Sequence, residues 1–380
     1  MSQLAVDLFD DPLALATADP AQVLRATASA AAQVRQAVVL ANEANIGRFR
    51  KEDRPRSVVV LGSGAAAIAG DLLAAAAGGS CPVPILVHRG IGLPHWVGAA
   101  DLVMAVSNSG STMETQWGLS DAVRRGCLLL VVAADPSPMA DLARRGRGVV
   151  VPVPAGRPDG ASLWAQAIPL VLAAEALGLL AAPVVVIEET ALALEAAARR
   201  CGPAADLVVN PAKSLALELL DTLPVLWGGS PLAGVAAFRG ACQITENAGI
   251  PALSGVLPEV THHQLALLDG PFVRRDAGDL FADPFEDDLP AAVHSRVRLV
   301  LLRDAAESPA LAQQTQVVQD LAQERGLGVS ALLGAGASEL ERLAVLIATL
   351  DFAAVYLSLL QGRHPGQPTA IDVFKGRISR

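Results

Sequence analysis

Unbroken apolar runs that alternate with segments of helical spacing recur along the chain, and they constrain its fold most. In the first half these runs are RSVVVL (56–61), PVPILV, DLVMAVS (101–107), LLLVVAA and GVVVPVP. A strand with one solvated face alternates polar and apolar residues, whereas an unbroken apolar run is typical of a strand buried on both faces. Parallel strands also need long connections, and the intervening segments suit helices. The pattern predicts a parallel sheet covered by helices on both faces.

The second half of the chain repeats this plan. Its apolar runs are PVLWGGS, RVRLVLL and VSALLG, and the last one precedes a long apolar helix at 338–361. A chain of 380 residues is too long for one typical domain and suits two. We therefore predict an α/β protein with two doubly wound parallel-sheet domains in tandem. The expected boundaries are a helical segment at 1–40, a first domain at 41–188 and a second domain at 189–380, joined near 183–195.

Charge and composition exclude several classes of function. The formal net charge is −9 and the sequence contains no basic run, so nucleic acid is not an expected partner. The apolar segment 163–182 contains Glu175, which favours a buried helix over a membrane span, and the N-terminus has acids where a signal peptide needs cations. The four cysteines form no CxxC pair and are expected to be buried thiols in a reducing compartment. We expect a cytoplasmic globular protein, with an exposed acidic excursion at 270–290.

The segment 107–115, SNSGSTMET, lies where a strand ends and a helix begins. Ser111 and Glu114 fit a capping box, and Gly110 allows close approach of the backbone. The free amides at a helix start attract an anion, and three hydroxyls add donors, those of Ser107, Ser109 and Thr112. The pattern fits a cradle for a phosphate monoester, and equally an ordinary Ser/Thr-rich turn.

A second glycine-rich turn, GSGAAAIAGD at 62–71, also follows a strand. Gly62, Gly64 and Ala67 fit the spacing of a dinucleotide fingerprint. That fingerprint expects an acid at the end of the next strand, where this sequence has His88 and Arg89. Close packing of a strand against a helix therefore explains the small residues better than a nicotinamide cofactor does.

Most of the acid–base side chains of interest lie in 245–264, TENAGIPALSGVLPEVTHHQ. Glu246 falls late in a helical pattern, where a glutamate is ordinarily a solvated surface group. His262 and His263 fit a turn, a core histidine or a pair of metal ligands, although no third histidine or cysteine lies near in sequence. Lys375, close to the C-terminus, is by itself an ordinary surface lysine.

Several motifs together resemble a known family. SNSGSTMET resembles the SxSGxTxET phosphate loop of sugar isomerase (SIS) domains, while ITENAGIPA, LPEVTHH and TAIDVFKGRI resemble the bifunctional phosphoglucose/phosphomannose isomerases built from two such domains. The order of elements agrees from about residue 40 to 380. The resemblance implies that Glu246, His262 and Lys375 are catalytic, and Thr369 is a weaker candidate for the sugar site.

The resemblance also implies a reaction, the interconversion of glucose 6-phosphate or mannose 6-phosphate with fructose 6-phosphate. Glu246 would move a proton between adjacent carbons of a cis-enediol, His262 would open the sugar ring, and Lys375 would stabilise charge on the enediolate oxygens. The family implies no cofactor and no metal, a small sugar phosphate as ligand, and a homodimer with its site near the subunit interface.

Two positions depart from the family pattern. The family's GGSG turn corresponds to Gly64 through Ala67, so Ala66 replaces a serine, and Asp159 stands where the family has an arginine, two residues after Arg157. The expected phosphate-binding residues are Ser107, Ser109, Thr112, Gly64 and Arg157. The departures also favour an alternative, a regulatory or structural sugar-phosphate-binding protein with little or no catalysis.

Overall fold

The structure is a computed structural model and describes residues 8–9, 11–273, 296–366 and 369–378. Contacts within the chain divide it into two units. The first unit contains Arg25–Ala198 and Ala337–Ala344, and the second contains Met1–Leu24, Arg199–Gly336 and Val345–Arg380. Each unit combines separate stretches of the chain, so the contiguous domain boundaries given above stay a prediction.

The first unit is built on a five-stranded parallel sheet with the order β2-β1-β3-β4-β5. Its strands are β1 Val58–Leu61, β2 Ile85–His88, β3 Leu102–Ser107, β4 Leu128–Ala133 and β5 Val149–Pro152. Helices follow the strands in sequence, which gives the doubly wound, flavodoxin-like order. The predicted fold class is confirmed.

The second unit repeats this order in a four-stranded parallel sheet, β7-β6-β8-β9. Its strands are β6 Leu223–Gly228, β7 Leu253–Val256, β8 Val297–Asp304 and β9 Gly328–Gly334. In both sheets the chain starts at one strand, adds the next on one side and then crosses to the other side. The two units are therefore topological repeats, as the two halves of the sequence predicted.

Helices connect these strands. Those that precede β6 are α1 Pro12–Ala18, α2 Val23–Ala28, α3 Ala30–Glu43, α4 Ala65–Ala77, α5 Met113–Arg124, α6 Pro138–Arg145, α7 Leu163–Ala176, α8 Val184–Cys201 and α9 Pro211–Leu219. Those that follow it are α10 Pro231–Ala248, α11 Pro309–Glu324, α12 Glu339–Leu360 and α13 Thr369–Ile378. Helix α8 occupies the place predicted as the joint between domains.

The core of each sheet explains the unbroken apolar runs. All residues of β1 and β3 are buried, because helices cover both faces of the strands. Gly62 and Gly70 of the 62–71 turn allow close packing: a Cβ on Gly62 would lie 3.0 Å from the backbone of Ala66 and Ala67, and one on Gly70 would lie 2.8 Å from Val60. Small residues are therefore required there by the strand–helix contact.

A buried carboxylate fixes the start of β3. The Asp101 side chain is fully buried and accepts hydrogen bonds from Arg56, the Ser57 hydroxyl and the Gly98 backbone N–H. Burial alone would raise the pKa of Asp101, but these donors hold its pKa below the usual range. The carboxylate ties the strand that leads to Ser107 to the preceding loop.

A buried lysine fixes residues near the N-terminus within the second unit. Lys213, on α9, is 1% exposed, and its Nζ donates to the carbonyls of Phe9 at 3.2 Å, Pro203 at 3.0 Å and Ala205 at 2.9 Å. A buried ammonium group is costly unless its hydrogen bonds are made. Backbone carbonyls meet that requirement here.

Three sequence-based expectations need correction or fall outside the described residues. Cys127 and Cys201 are buried as predicted, and burial raises the pKa of both thiols, but Cys81 and Cys242 are partly exposed. The sequence analysis predicted no strand at Leu253–Val256, where β7 lies. Most of the predicted excursion at 270–290 lies outside the described residues, which stop at 273 and resume at 296.

Helix α12 is long and apolar enough to cross a membrane by length and composition. Of its most apolar window, however, 83% is buried inside the protein. A core helix of a globular protein has the same properties. The segment 163–182, expected to be a buried helix, forms the mostly buried α7 and the residues after it.

Candidate active site

The loop between β3 and α5 contains three of the predicted phosphate ligands. Ser107 is 2% exposed, and its Oγ accepts a hydrogen bond from Gly110 N at 3.0 Å and shares another with Thr112 Oγ1 at 2.9 Å. Ser109 is exposed, and its Oγ accepts from Ser111 Oγ at 2.9 Å. Ser107 thus stabilises the loop from its buried side, while Ser109 and Thr112 have solvent-accessible surface at which a ligand can bind.

The start of α5 corrects one local prediction. The helix begins at Met113 with Thr112 as its N-cap, and Thr112 forms no side-chain capping hydrogen bond. The capping box expected from Ser111 and Glu114 is therefore wrong, because Ser111 bonds to Ser109 and lies one residue before the cap. A helix start without a side-chain cap leaves its first N–H groups available to an anion.

The neighbouring turn contains Gly64, which has φ of +57° and is exposed at the start of α4. No atom lies within 4 Å of a Cβ placed there, so the positive φ rather than crowding explains the glycine. Ala66, at the position where the family has a serine, is 6% exposed. This side chain offers no hydrogen-bond donor to a phosphate.

Arg157 is the nearest cation in sequence to the position of the family arginine. Its Nη2 donates to Gln36 Oε1 at 3.0 Å. Its Nη1 is buried and has no hydrogen-bond partner among the described residues. A buried guanidinium N–H without an acceptor is unfavourable, so a bound anion would complete its hydrogen bonding. Asp159 begins a short 3-10 turn, Asp159–Ala161.

Glu246 lies in the last turn of α10 and is partly buried. Its Oε2 accepts a hydrogen bond from Gln243 Nε2 at 3.1 Å. The helix ends at Ala248, and the residue that caps it, Gly249, has φ of +68°. Glu246 therefore differs from the solvated surface glutamate that its sequence context alone suggests, since a neighbouring amide holds the carboxylate.

The middle of α10 is tied to α12 by a buried ion pair. The Arg239 side chain is 1% exposed and forms two hydrogen bonds with Asp351, at 2.9 and 3.0 Å. A planar guanidinium that pairs with both oxygens of a carboxylate fixes geometry as well as charge. The helix that presents Glu246 is therefore held in register two turns before that residue.

His262 ends a 3-10 turn, Glu259–His262, and both it and His263 are exposed. His263 Nε2 lies 3.3 Å from Glu259 Oε1, which becomes an ion pair when the imidazole is protonated. Among the described residues no group of three or more His, Cys, Asp or Glu is suitable for a metal ion. The two histidines are therefore arranged as a solvent-facing turn.

Lys375 lies on α13, whose residues 370–378 are all exposed. Thr369 is the first residue of that helix. The exposed residues include apolar side chains spaced one helical turn or two apart, namely Ile371, Phe374 and Ile378. The family motif TAIDVFKGRI thus forms one solvent-accessible helix.

Glu246 and His262 lie on the two segments that flank β7 in the chain. Helix α10 connects the parallel strands β6 and β7, and Glu246 is in its last turn, before β7. His262 lies in the 3-10 turn that follows β7. After that turn the chain folds back along the strand, where Gln264 Nε2 donates to the Ser254 carbonyl at 3.0 Å.

Comparison with known families decides the classification. Residues 208–378 match the family described as bacterial phospho-glucose isomerase C-terminal SIS domain. This region is therefore similar to the SIS domain of that family. The resemblance read from the SIS motifs is thereby confirmed, and the match includes Glu246, His262 and Lys375.

Similar proteins extend the likeness beyond the SIS domain at 208–378. The bifunctional phosphoglucose/phosphomannose isomerase of Caldicellulosiruptor bescii is 28% identical over 88% of this chain and 93% of its own length. The enzyme of the same name from Aquifex aeolicus is 24% identical over 78% of this chain and 82% of its own. The crystal structure of tagatose-6-phosphate ketose/aldose isomerase from Escherichia coli superposes with a TM-score of 0.66, at 13% identity, over 91% of this chain and 94% of that one. This last likeness concerns the fold alone.

Sequence reasoning missed two residues of the SIS domain, Gln243 and Asn247. Both are 5% exposed and both belong to the hydrogen-bonded group around Glu246. Gln243 lies three residues before Glu246 on a predicted helix. Residues three apart share a helix face, so this spacing could have identified Gln243 from the sequence.

Proposed function

We propose that the protein is an aldose–ketose isomerase that interconverts glucose 6-phosphate, mannose 6-phosphate or both with fructose 6-phosphate. The observation that carries the proposal is Glu246, a carboxylate partly buried and held by an amide within an SIS domain of the phosphoglucose isomerase family. A carboxylate in this setting is suited to accept a proton from one carbon and return it to the next. The curated relatives named as isomerases support the same reaction.

The reaction assigns a role to each catalytic candidate. Glu246 removes the proton from C2 of the open-chain aldose, the C1 oxygen gains a proton as the enediol forms, and Glu246 returns its proton to C1 as the C2 oxygen loses its own. His262 acts as acid or base in ring opening, because an imidazole nitrogen can either donate or accept a proton. Lys375 stabilises negative charge on the enediolate oxygens. No cofactor is required, since the reaction moves hydrogen only within the substrate.

We propose that the phosphate of the substrate binds at the turns around Gly64 and at 107–112. Ser109, Thr112 and the N–H groups at the start of α5 supply donors, Ser107 and Gly64 shape the two turns, and Arg157 adds a cation. Binding a remote phosphate orients the sugar, and this binding energy lowers the barrier at the reacting carbons.

We further propose that the enzyme works as a homodimer in the cytoplasm. Glu246 lies on the helix before β7 and His262 on the turn after it. In a two-fold dimer, His262 of the partner subunit would complete the site that contains Glu246. The exposed apolar residues of α13 are available to such an interface.

Proton exchange in deuterium oxide tests the reaction. The protein is mixed with fructose 6-phosphate and followed by NMR, beside the variant Glu246→Gln. The expected result is deuterium at C1 or C2 and accumulation of glucose or mannose 6-phosphate, with both lost in the variant. Binding of fructose 6-phosphate without any exchange would instead establish the non-catalytic sugar-phosphate-binding protein, which the missing hydroxyl at Ala66 favours.

Subunit complementation tests the shared site. The variants Glu246→Gln and His262→Asn are each expected to be inactive as homodimers. If the two residues of one site come from different copies, a 1:1 mixture that exchanges subunits recovers about a quarter of the wild-type activity. About half of the dimers then contain both variants, and each of these has one intact site of two. A mixture that exchanges subunits and stays inactive would place both residues in one copy or in no common site.

A further inference from the structure

We infer that Gln243 is a positioning residue for Glu246, and that Asn247 fixes the orientation of its amide. The inference rests on the proposed isomerase function and deepens it. It concerns one series of hydrogen bonds in the second unit, which runs from the backbone of Gly366 through Asn247 and Gln243 to Glu246.

The series begins at the backbone, where the direction of each bond is fixed. Gly366 N donates to Asn247 Oδ1 at 3.0 Å. A backbone N–H only donates, so the oxygen of the Asn247 amide must face it and the nitrogen must face away. The Asn247 backbone carbonyl also accepts from Ser358 Oγ at 2.8 Å, which fixes the main chain of the same residue.

The nitrogen of Asn247 in turn determines how Gln243 is oriented. Asn247 Nδ2 donates to the Gln243 backbone carbonyl at 3.0 Å and lies 3.4 Å from Gln243 Oε1. Reversing the Gln243 amide would bring two N–H groups together on one side and an oxygen against a carboxylate on the other. Gln243 Nε2 is therefore the atom that faces Glu246 Oε2, at 3.1 Å.

A neutral donor suits a residue that must act as a base. A lysine or arginine at position 243 would form an ion pair and stabilise the carboxylate strongly against protonation. The Gln243 amide restricts the rotation of the Glu246 side chain without adding charge. A carboxylate that serves two adjacent carbons needs such restriction, because small errors of placement slow a reaction greatly.

The test is the variant Gln243→Met, which keeps the length of the side chain and removes the donor. The expected result is a fall in kcat of about 10- to 100-fold, with KM for fructose 6-phosphate within about twofold of the wild type. The primary isotope effect on kcat with glucose 6-phosphate deuterated at C2 is expected to increase, because proton transfer becomes slower relative to the other steps. A general loss of structure would not change the isotope effect.

A matched control is available in the same unit. Gln316, on the exposed face of α11, donates to the Asp320 carboxylate at 2.8 Å, also on one helix. Gln316→Met removes the same type of bond away from the candidate site and is expected to leave kcat, KM and the isotope effect unchanged. Thermal unfolding of all variants is measured in parallel.

The outcomes separate this inference from the proposed function. If the wild type exchanges protons and Gln243→Met keeps its kcat, the positioning role is overturned and the isomerase stands. If the wild type does not exchange protons, both are overturned. If Gln243→Met does not fold, the variant Gln243→Glu tests the positioning role instead. It keeps an oxygen that accepts from Asn247, but it places a second carboxylate next to Glu246. Its kcat is then expected to fall at least tenfold, and an unchanged kcat would overturn the inference.

Discussion

Replacing Gly110 by alanine is the sharpest perturbation of the loop between β3 and α5. Gly110 has φ of +67°, a conformation that an alanine adopts only with strain. A Cβ placed on it would also overlap the Oγ and Cβ atoms of Ser137. Ser137 is the N-cap of α6, and its Oγ accepts from Ala140 N at 3.2 Å. The substitution therefore strains the loop and displaces a helix cap.

The size of the effect follows from these two contributions. The positive φ costs about 1–2 kcal/mol for a residue with a Cβ. Displacing the Ser137 cap costs about 1 kcal/mol more. We expect Gly110→Ala to destabilise the first unit by about 2–3 kcal/mol. Because the loop has to shift to make room, KM for fructose 6-phosphate should rise about tenfold or more.

Gly126 provides a matched control, since it has φ of +70° and no atom lies within 4 Å of a Cβ placed on it. Gly126→Ala should cost only the conformational strain, about 1–2 kcal/mol, and leave KM unchanged. Stability is measured by urea titration with a probe in the first unit, and KM by the isomerase assay. Binding of inorganic phosphate by calorimetry reports on the loop independently of catalysis.

A double-mutant cycle makes the reasoning refutable. Ser137→Gly removes the atoms that a Cβ at position 110 would meet, so the combined variant should cost less than the sum of the two single variants. Additive costs, or a Gly110→Ala variant no less stable than Gly126→Ala, would show that the predicted overlap with Ser137 does not occur.

The remaining predictions concern buried charges. Asp101→Asn should cost about 1–3 kcal/mol at pH 7. The pKa of Asp101 is lowered in the folded protein, so its contribution to stability is present above the unfolded pKa and is lost as pH falls through the folded pKa. The difference in urea midpoint between the wild type and Asp101→Asn should therefore narrow in acid. A difference that stays constant with pH would contradict this. Arg239→Met should cost about 3–5 kcal/mol in thermal unfolding, and adding Asp351→Leu should recover most of it; no recovery would refute a mainly electrostatic loss. Lys213→Met should leave three carbonyls unpaired and lower the unfolding temperature far more than Lys51→Met at an exposed position, and equal losses would argue against the carbonyl contacts.

The sequence predicts the sheets well where burial on both faces imposes a simple pattern. The run SVVVL contains β1, and DLVMAVS contains β3, because both faces of a central parallel strand are covered; Ser107, at the end of β3, is the one polar residue of these two strands. Strand β7 was not predicted from the sequence because its residues, LSGV, include a serine and a glycine. The strand also pairs on one side only. An edge strand is only half covered and needs no such run.

The candidate site is predicted less completely, for a topological reason. Motif order identified Glu246, His262 and Lys375 as candidates, but it does not say which end of the sheet each of their elements reaches. Sequence spacing does not contain that information, since the direction of each element depends on strand pairing. The capping box failed for a related reason: the hydroxyl of Ser111 had a nearer partner in Ser109.

The two repeated units differ in the loop that follows one equivalent strand. Strand β8 occupies the place in its sheet that β3 occupies in the other, so the loop after β8 corresponds to the loop at 107–112. That second loop contains carboxylates: Asp304 accepts from Ser230 Oγ at 3.2 Å and from Ala306 N at 3.0 Å, and Glu307 pairs with Arg303. The donors that could hold a phosphate are thus engaged by the chain's own acids, and a further anion would be repelled. The loop after β8 is therefore unsuited to a phosphate, whereas the loop at 107–112 has exposed hydroxyls and an uncapped helix start that remain accessible to one.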